Sequence, residues 1–201
     1  MSNSENKSLK PSKHLRLKAQ EFLSCRKKNE ILSGIIQHLD SGNDIPSCLL
    51  SLELIFTTLL KDKYMFIEII PLKPVEKTEE NEYKMWLITV YEECFQKVLD
   101  CLESTSNKVQ IQGLTTAIAL LANEGKYPLE NRSSNEQCYV PLNKLKSVLL
   151  KLLSSENNNI YLINKYTEYL LYNDILFNTW KLLPSLTQKC HVLMIFILEI
   201  T

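Results

Sequence analysis

SNKVQIQGLTTAIALLANEG, Ser106 to Gly125, is the stretch whose reading decides the fold. Leu114, Ala117, Ile118 and Leu121 recur at helical spacing, with Ile111 and Ala122 beside them. Gln112, Thr116 and Asn123 fall on the opposite side. A period of about 3.6 residues predicts a single amphipathic helix. Ser106 stands where a hydroxyl can accept a bond from an unpaired first-turn amide. Gly125 suits the left-handed position after the last turn, and Pro128 blocks resumption. A helix this apolar on one side needs neighbours, and apolar helices are expected before and after it.

Working towards the N-terminus, Tyr83 to Glu103 reads as the longest helix, with Leu87, Tyr91, Cys94, Phe95, Val98 and Leu102 inward and Trp86 beside them. Ser104-Thr105 is too short for anything but an antiparallel pairing with the 106–125 helix. The acidic run Glu76 to Glu82 reads as an exposed loop, and Pro71 and Pro74 end whatever Tyr64 to Ile70 forms, a short helix or an extended turn. About 45–60 is a helix apolar over more than half its girth, carrying Leu49, Leu52, Leu54, Ile55, Phe56, Leu59 and Leu60. It belongs at the centre, with Asp44 as its cap and Pro46 in its first turn. Ile31, Leu32, Ile35, Ile36 and Leu39 mark another helix ending at Ser41-Gly42-Asn43, Gly34 notwithstanding. His14 to Lys28 has the composition of a basic helix, and residues 1–12 read as a disordered polar arm.

Towards the C-terminus, 126–140 reads as a polar loop. Pro141 opens a helix with Leu145, Val148, Leu149, Leu152 and Leu153 inward, and Glu156 to Asn159 is a turn. Ile160 to Tyr172 and Asp174 to Leu183 follow as helices, with Pro184 separating them from Leu186 to Ile200. No stretch reads as a persuasive strand. Helix pairs of roughly 40 residues joined by short turns predict an all-α HEAT-like or armadillo-like helical repeat, an α-solenoid, over residues 13–201. The last residues, Leu198-Glu199-Ile200-Thr201, carry no cap, glycine or polar tail. Solenoids close on a repeat with a polar outer face, so the expectation is an incomplete solenoid, the front part of a longer protein.

Composition narrows the function classes. The 201 residues suffice for a sizeable core, and 45% are hydrophobic. Basic and acidic residues both number 23, so no global field draws the chain to nucleic acid or an acidic surface. The charge is nevertheless uneven: Lys7, Lys10, Lys13, Arg16, Lys18, Arg26, Lys27 and Lys28 stand against Glu5 and Glu21 in the first 28 residues. That segment reads either as a solvated arm and helix or as a phosphate-contacting or nuclear-import element, for which Lys10, Lys13, Arg16, Lys18, Arg26, Lys27 and Lys28 are the candidates. The cysteines Cys25, Cys48, Cys94, Cys101, Cys138 and Cys190 form no C-x-x-C pair. They are expected as free thiols packed as small apolar groups in a reducing compartment. The opening MSNSENKSLK has no apolar secretory core. The longest apolar run, Val192 to Leu198, falls far short of the ~20 residues a membrane span needs, so a soluble intracellular protein is expected.

A search for chemistry yields no catalytic, cofactor or metal residues. The histidines are His14, His38 and His191. Cys190-His191 is no dyad, because adjacent helical residues do not face each other. Cys94 and Cys101 are two turns apart, too far to chelate. Four glycines and no phosphate-loop motif argue against a nucleotide cradle. Glu79-Glu80 and Glu92-Glu93 read as solvated surface. Tyr161, Tyr166, Tyr169 and Tyr172 have only Lys165 among them, so an edge-of-core role outweighs base stacking.

Several stretches taken in order add a resemblance. They are Tyr83-Lys84-Met85-Trp86 with Tyr91 and Cys94; Val109-Gln110 through Leu120-Leu121, Glu124-Gly125 and Pro128-Leu129; Tyr139-Val140-Pro141 leading to Leu145-Lys146 and Leu149-Leu150; and Tyr166-Thr167-Glu168-Tyr169-Leu170 with Tyr172-Asn173-Asp174. From about Leu23 to Leu186 the chain resembles the N-terminal half of the nucleolar complex protein 4 family, which is similar to the CCAAT-binding-factor group of ribosome-assembly proteins. The resemblance implies a non-catalytic helical-repeat scaffold in the nucleus and nucleolus, without a cofactor. It implies a role in small-subunit ribosome biogenesis, pre-rRNA processing and export of the pre-40S particle. The implied partners are nucleolar protein 14 and other small-subunit processome proteins, with pre-rRNA a further candidate. The family's C-terminal helical domain, where the nucleolar protein 14 contact is expected, has no counterpart in these residues. Two other readings stand beside this one: a basic N-terminal RNA-binding module, and an unrelated helical-repeat adaptor for a peptide.

Overall fold

The computed structural model describes residues 11–69, 77–131, 140–153 and 159–187. Eight α-helices run through them: α1 Pro11–Ser24, α2 Asn29–Asp40, α3 Ile45–Lys61, α4 Glu79–Asp100, α5 Asn107–Lys126, α6 Leu142–Leu152, α7 Ile160–Thr167 and α8 Asn173–Thr187. Short 3-10 turns, Cys101–Glu103 and Glu168–Leu171, extend α4 and α7. The architecture is all-α, helices packed against helices as in helical-repeat proteins. Among the described residues β pairing is limited to an isolated bridge between Ile67 and Glu130. Of the Tyr64–Ile70 segment, Tyr64 and Met65 are turn and Ile67 forms the bridge, while Ile69 N–H donates to Asn131 Oδ1 at 2.6 Å.

α3 is central. Leu49, Leu52, Ile55, Phe56, Leu59 and Leu60 are buried on several sides of it, and it packs against α1, α2, α4 and α5. Such a helix has little water-facing surface to spare for polar groups. Its hydroxyls turn back onto its own carbonyls: Ser51 to Ser47 O at 2.8 Å, Thr57 to Glu53 O and Thr58 to Leu54 O at 2.7 Å each. α1 lies parallel to α3, since Lys13 and Arg16 meet the start of α3 while Arg26 meets Asp62 at its end. Leu15, Ala19 and Phe22 are the buried side of α1, so the basic helix is also a core helix.

α4 and α5 form the expected antiparallel pair. Tyr91 meets Glu124 near one end, and Gly113 lies against Val98 and Cys101 near the other. A Cβ on Gly113 would come within 3.2 Å of Cys101 Cβ and 3.3 Å of the Val98 carbonyl. That close approach is why this helix carries a glycine in mid-course.

Several helix ends differ from the sequence-based expectation. α5 continues through Gly125 to Lys126, and Tyr127 follows with φ −126°. Gly125 is therefore helical, not a left-handed stop. Ser106 holds the N-cap position of α5 without a side-chain bond; its own amide donates to Ser104 Oγ at 3.2 Å. Asp44 precedes α3 in the left-handed region (φ 46°) and its carboxylate caps nothing. Glu79 to Glu82 is not loop: Thr78 caps α4 by accepting from the Asn81 amide at 3.2 Å. The acidic residues then sit in a first turn, where the helix dipole favours them. Pro184 lies inside α8, which runs on to Thr187. A proline there lacks the amide for one helical bond and crowds the carbonyl four residues back, yet only three residues of helix follow it. Of the arm expected as disordered over residues 1–12, residues 11 and 12 are instead the start of α1 and 1–10 lie outside the described residues, as do most of the 126–140 loop, the Glu156–Asn159 turn apart from Asn159, and the Leu186–Ile200 helix apart from Leu186-Thr187.

Candidate interaction surface

The basic N-terminal set does not come together as one patch. Lys10 lies outside the described residues. Lys13 and Arg16, one turn apart on α1, are exposed and line a groove of about 480 Å³ with Ser47, Leu50, Ser51 and Leu54 of α3. Lys18 is half-buried and Lys27 exposed. Arg26 is engaged inside the fold. Its guanidinium pairs with Asp62 and stands 4.6 Å from the Tyr64 ring centroid. Around that pair runs an aromatic ladder, Tyr64 edge-on to Tyr83 at 6.3 Å and Tyr83 stacked on Trp86 at 5.5 Å. The Tyr83 hydroxyl reaches the Arg26 carbonyl and lies 2.9 Å from Asn29 Oδ1. Burial pushes that phenol up to about 12. Lys28 donates to Glu21 at 2.6 Å, and this bond holds its ammonium above the usual pKa.

The surface left for an anionic partner is thus smaller than the sequence suggests. Lys13 and Arg16 form one basic wall at the start of α3. Lys27, Lys61 and Lys63 flank the Arg26–Asp62 pair about 20 Å away along α1, at ~1.5 Å per residue. Lys61 and Lys63 were not among the candidates; nothing in the sequence places them beside Lys27.

Several of the other singled-out groups are engaged within the fold. Tyr166 is buried, its hydroxyl 2.7 Å from Thr179 Oγ1, and burial raises it to about 12. Tyr169 reaches Thr115 Oγ1 at 3.3 Å, whereas Tyr161 and Tyr172 are exposed, so the four do not form one stacking surface. Glu80 pairs with Lys84 and Glu92 with Lys144, both at 2.6 Å. Cys25, Cys48, Cys94 and Cys101 are free thiols, and burial lifts Cys94 to about 12. Cys138, Cys190 and His191 lie outside the described residues. Among the described residues no group of three or more His, Cys, Asp or Glu is placed to hold a metal ion. No described helix is long and apolar enough to cross a membrane.

Two buried polar ties escaped the sequence reading. Thr116, expected on the solvent side, is buried and donates to Glu53 Oε2 of α3 at 2.7 Å. Glu124 is buried between Tyr91, which donates to it at 2.7 Å, and Lys144 of α6, also at 2.7 Å. The Lys144 ammonium stands 4.4 Å from the centroid of the Tyr91 ring. α4, α5 and α6 are clamped there by charge, hydrogen bond and ring together.

These features define a helical packing scaffold with a groove along one side. The chain belongs to the nucleolar complex protein 4 family. It is 30% identical over 179 residues to nucleolar complex protein 4 homolog B of Xenopus laevis, covering 86% of this chain and 33% of that protein. It is 29% identical to homolog A of the same species, over 81% of this chain and 32% of the relative. To the Homo sapiens homolog it is 24% identical over 80% of this chain and 32% of the relative. The chain therefore spans about a third of the length of these curated relatives. No protein-family model and no solved structure matches it.

Proposed function

We propose that the chain is a non-catalytic scaffold of small-subunit ribosome assembly, acting in the nucleolus. What carries this reading is its relation, along most of its length, to proteins named for a nucleolar complex. Stacked helices supply broad faces on which an assembly is built. In this reading residues 13–201 form one helical-repeat unit that supports pre-rRNA processing and export of the small-subunit precursor. Nucleolar protein 14 is the partner we expect, among other small-subunit processome proteins. Tagged full chain expressed in cells is expected to concentrate in nucleoli and to sediment with early pre-ribosomal particles. A chain that stays cytoplasmic and at the top of the gradient would overturn the reading.

Direct contact with pre-rRNA is the second reading, favoured by exposed Lys27, Lys61 and Lys63 around the internally neutralised Arg26–Asp62 pair. Phosphate contacts make affinity fall steeply with salt. Deleting the first 28 residues is not a usable test, because Leu15, Ala19 and Phe22 belong to the core. The triple change Lys27→Glu, Lys61→Glu and Lys63→Glu keeps the core and is expected to abolish any salt-dependent RNA binding; unchanged binding rules the surface out.

A further inference from the structure

The groove between α1 and α3 is the surface whose chemistry specifies a partner. Its α3 side is a stripe of Ser47, Leu50, Ser51 and Leu54, at helical spacings of three and four along one face. Leu50 is 52% exposed, unusual for a leucine on the helix at the centre of the fold. The serines flanking it are small, and the Ser51 hydroxyl is satisfied by the Ser47 backbone carbonyl at 2.8 Å. Leu17 on α1, next to Arg16, is a further exposed leucine, at 44%. Lys13 and Arg16 make the opposite wall, with no ion pair to any described residue, and among the described residues no acidic side chain lines the groove.

We propose that this groove docks an acidic amphipathic helix of a partner protein, its leucine-type side chains on Leu50 and Leu54 and its carboxylates on Lys13 and Arg16. The stripe extends about 10 Å along α3, two turns of a helix at ~1.5 Å per residue. Apolar anchors at three- and four-residue spacing in a groove are how helices are recognised. Charge complementarity selects an acidic occupant and speeds its encounter. Nucleic acid fits the same cations less well. Single strands bind on aromatic platforms, and this floor is aliphatic. The groove lies apart from Lys27, Lys61 and Lys63, and its occupancy does not depend on a nucleolar role.

The test uses the full chain and a fluorescent synthetic helix-forming peptide bearing leucines at three- and four-residue spacing with glutamates between. The controls are a scrambled peptide of the same composition and oligouridylate. The peptide is expected to bind with a dissociation constant on the order of 10 μM. Leu50→Glu and the pair Lys13→Glu, Arg16→Glu each weaken it about tenfold or more. All three positions are exposed, and an unchanged melting temperature in each variant keeps the loss attributable to the groove. No binding, or equal binding of the scrambled peptide, would overturn the proposal. So would oligouridylate binding that is lost with the charge changes and kept in Leu50→Glu, which would make the wall a phosphate contact.

Discussion

Tyr91 on α4 donates a 2.7 Å hydrogen bond to the Glu124 carboxylate on α5, across 33 residues of chain, and both groups are buried. Burial and the adjacent carboxylate hold the Tyr91 phenol well above its ordinary pKa, so it is the donor at any ordinary pH. Lys144 completes the cluster from α6, with side-chain exposures of 12% for Lys144 and 10% for Glu124. Removing a neutral donor from a buried carboxylate is expected to be less damaging than removing the charge that balances it. Tyr91→Phe should cost about 1–2 kcal/mol. Lys144→Met, which keeps an apolar stem against the Tyr91 ring, should cost about 2–3 kcal/mol. Urea unfolding compares them, and a Lys144→Met protein as stable as Tyr91→Phe would mean the ion pair does not hold the helices.

Two glycines in helices should respond to alanine with opposite signs. Nothing lies within 4 Å of a Cβ built on Gly34, so Gly34→Ala gains helix propensity alone, about 0.5–1 kcal/mol. At Gly113 the new methyl meets Cys101 and the Val98 carbonyl at 3.2 and 3.3 Å. Separating α4 from α5 there is expected to outweigh the same gain, with a net loss of about 1 kcal/mol. Thermal melts of the two variants read the difference, and a stabilised Gly113→Ala would show the crossing to be looser than its geometry.

The caps make a second pair. Thr78→Ala removes the bond to the Asn81 amide and should cost about 1 kcal/mol. Asp44 makes no side-chain cap and has φ 46°, a conformation glycine adopts without strain. Asp44→Gly is therefore expected to be neutral or mildly stabilising in the same denaturation series. Destabilisation near that of Thr78→Ala would indicate that Asp44 does cap α3 in solution.

Buried thiols set an alkaline limit. The Cys94 thiol moves from an ordinary 9.0 to about 12 in the fold, chiefly through burial. Because the folded value is the higher, the folded state holds the proton longer. The stabilisation is complete below about pH 9 and is lost progressively from there towards pH 12. The loss approaches about 1.4 kcal/mol per pH unit for one such group. Cys94→Ala should be less stable near neutrality by about 1 kcal/mol for the lost packing, yet show a shallower decline above pH 9. Denaturation midpoints taken across that range give the slopes; parallel slopes would mean the thiol ionises in place.

Much of this architecture was legible beforehand. The inward stripe of α4, the central position of α3 and the pairing of α4 with α5 follow from spacing and from a linker too short for another route. The end of α5 was not, because Gly125 in a helix and Gly125 after one look alike until the next turn is seen. Nor was the start of α4, where a run of acids looks like solvated loop until Thr78 is known to cap it. The candidate surface fared worse: seven cations resembled one patch, but Arg26 and Lys28 are held by Asp62 and Glu21, and the groove beside Lys13 and Arg16 needs leucines from α3.

By itself the order of residues determined that this protein is a stack of helices and where the apolar stripes of its middle helices run. Apolar periodicity is a property of one helix's own circumference. The tertiary structure alone decided which polar groups go inside with those apolar faces, as Thr116 does with Glu53 and Glu124 with Tyr91 and Lys144. A buried polar atom is tolerated only when another element brings its partner, and that partner stands dozens of residues away along the chain.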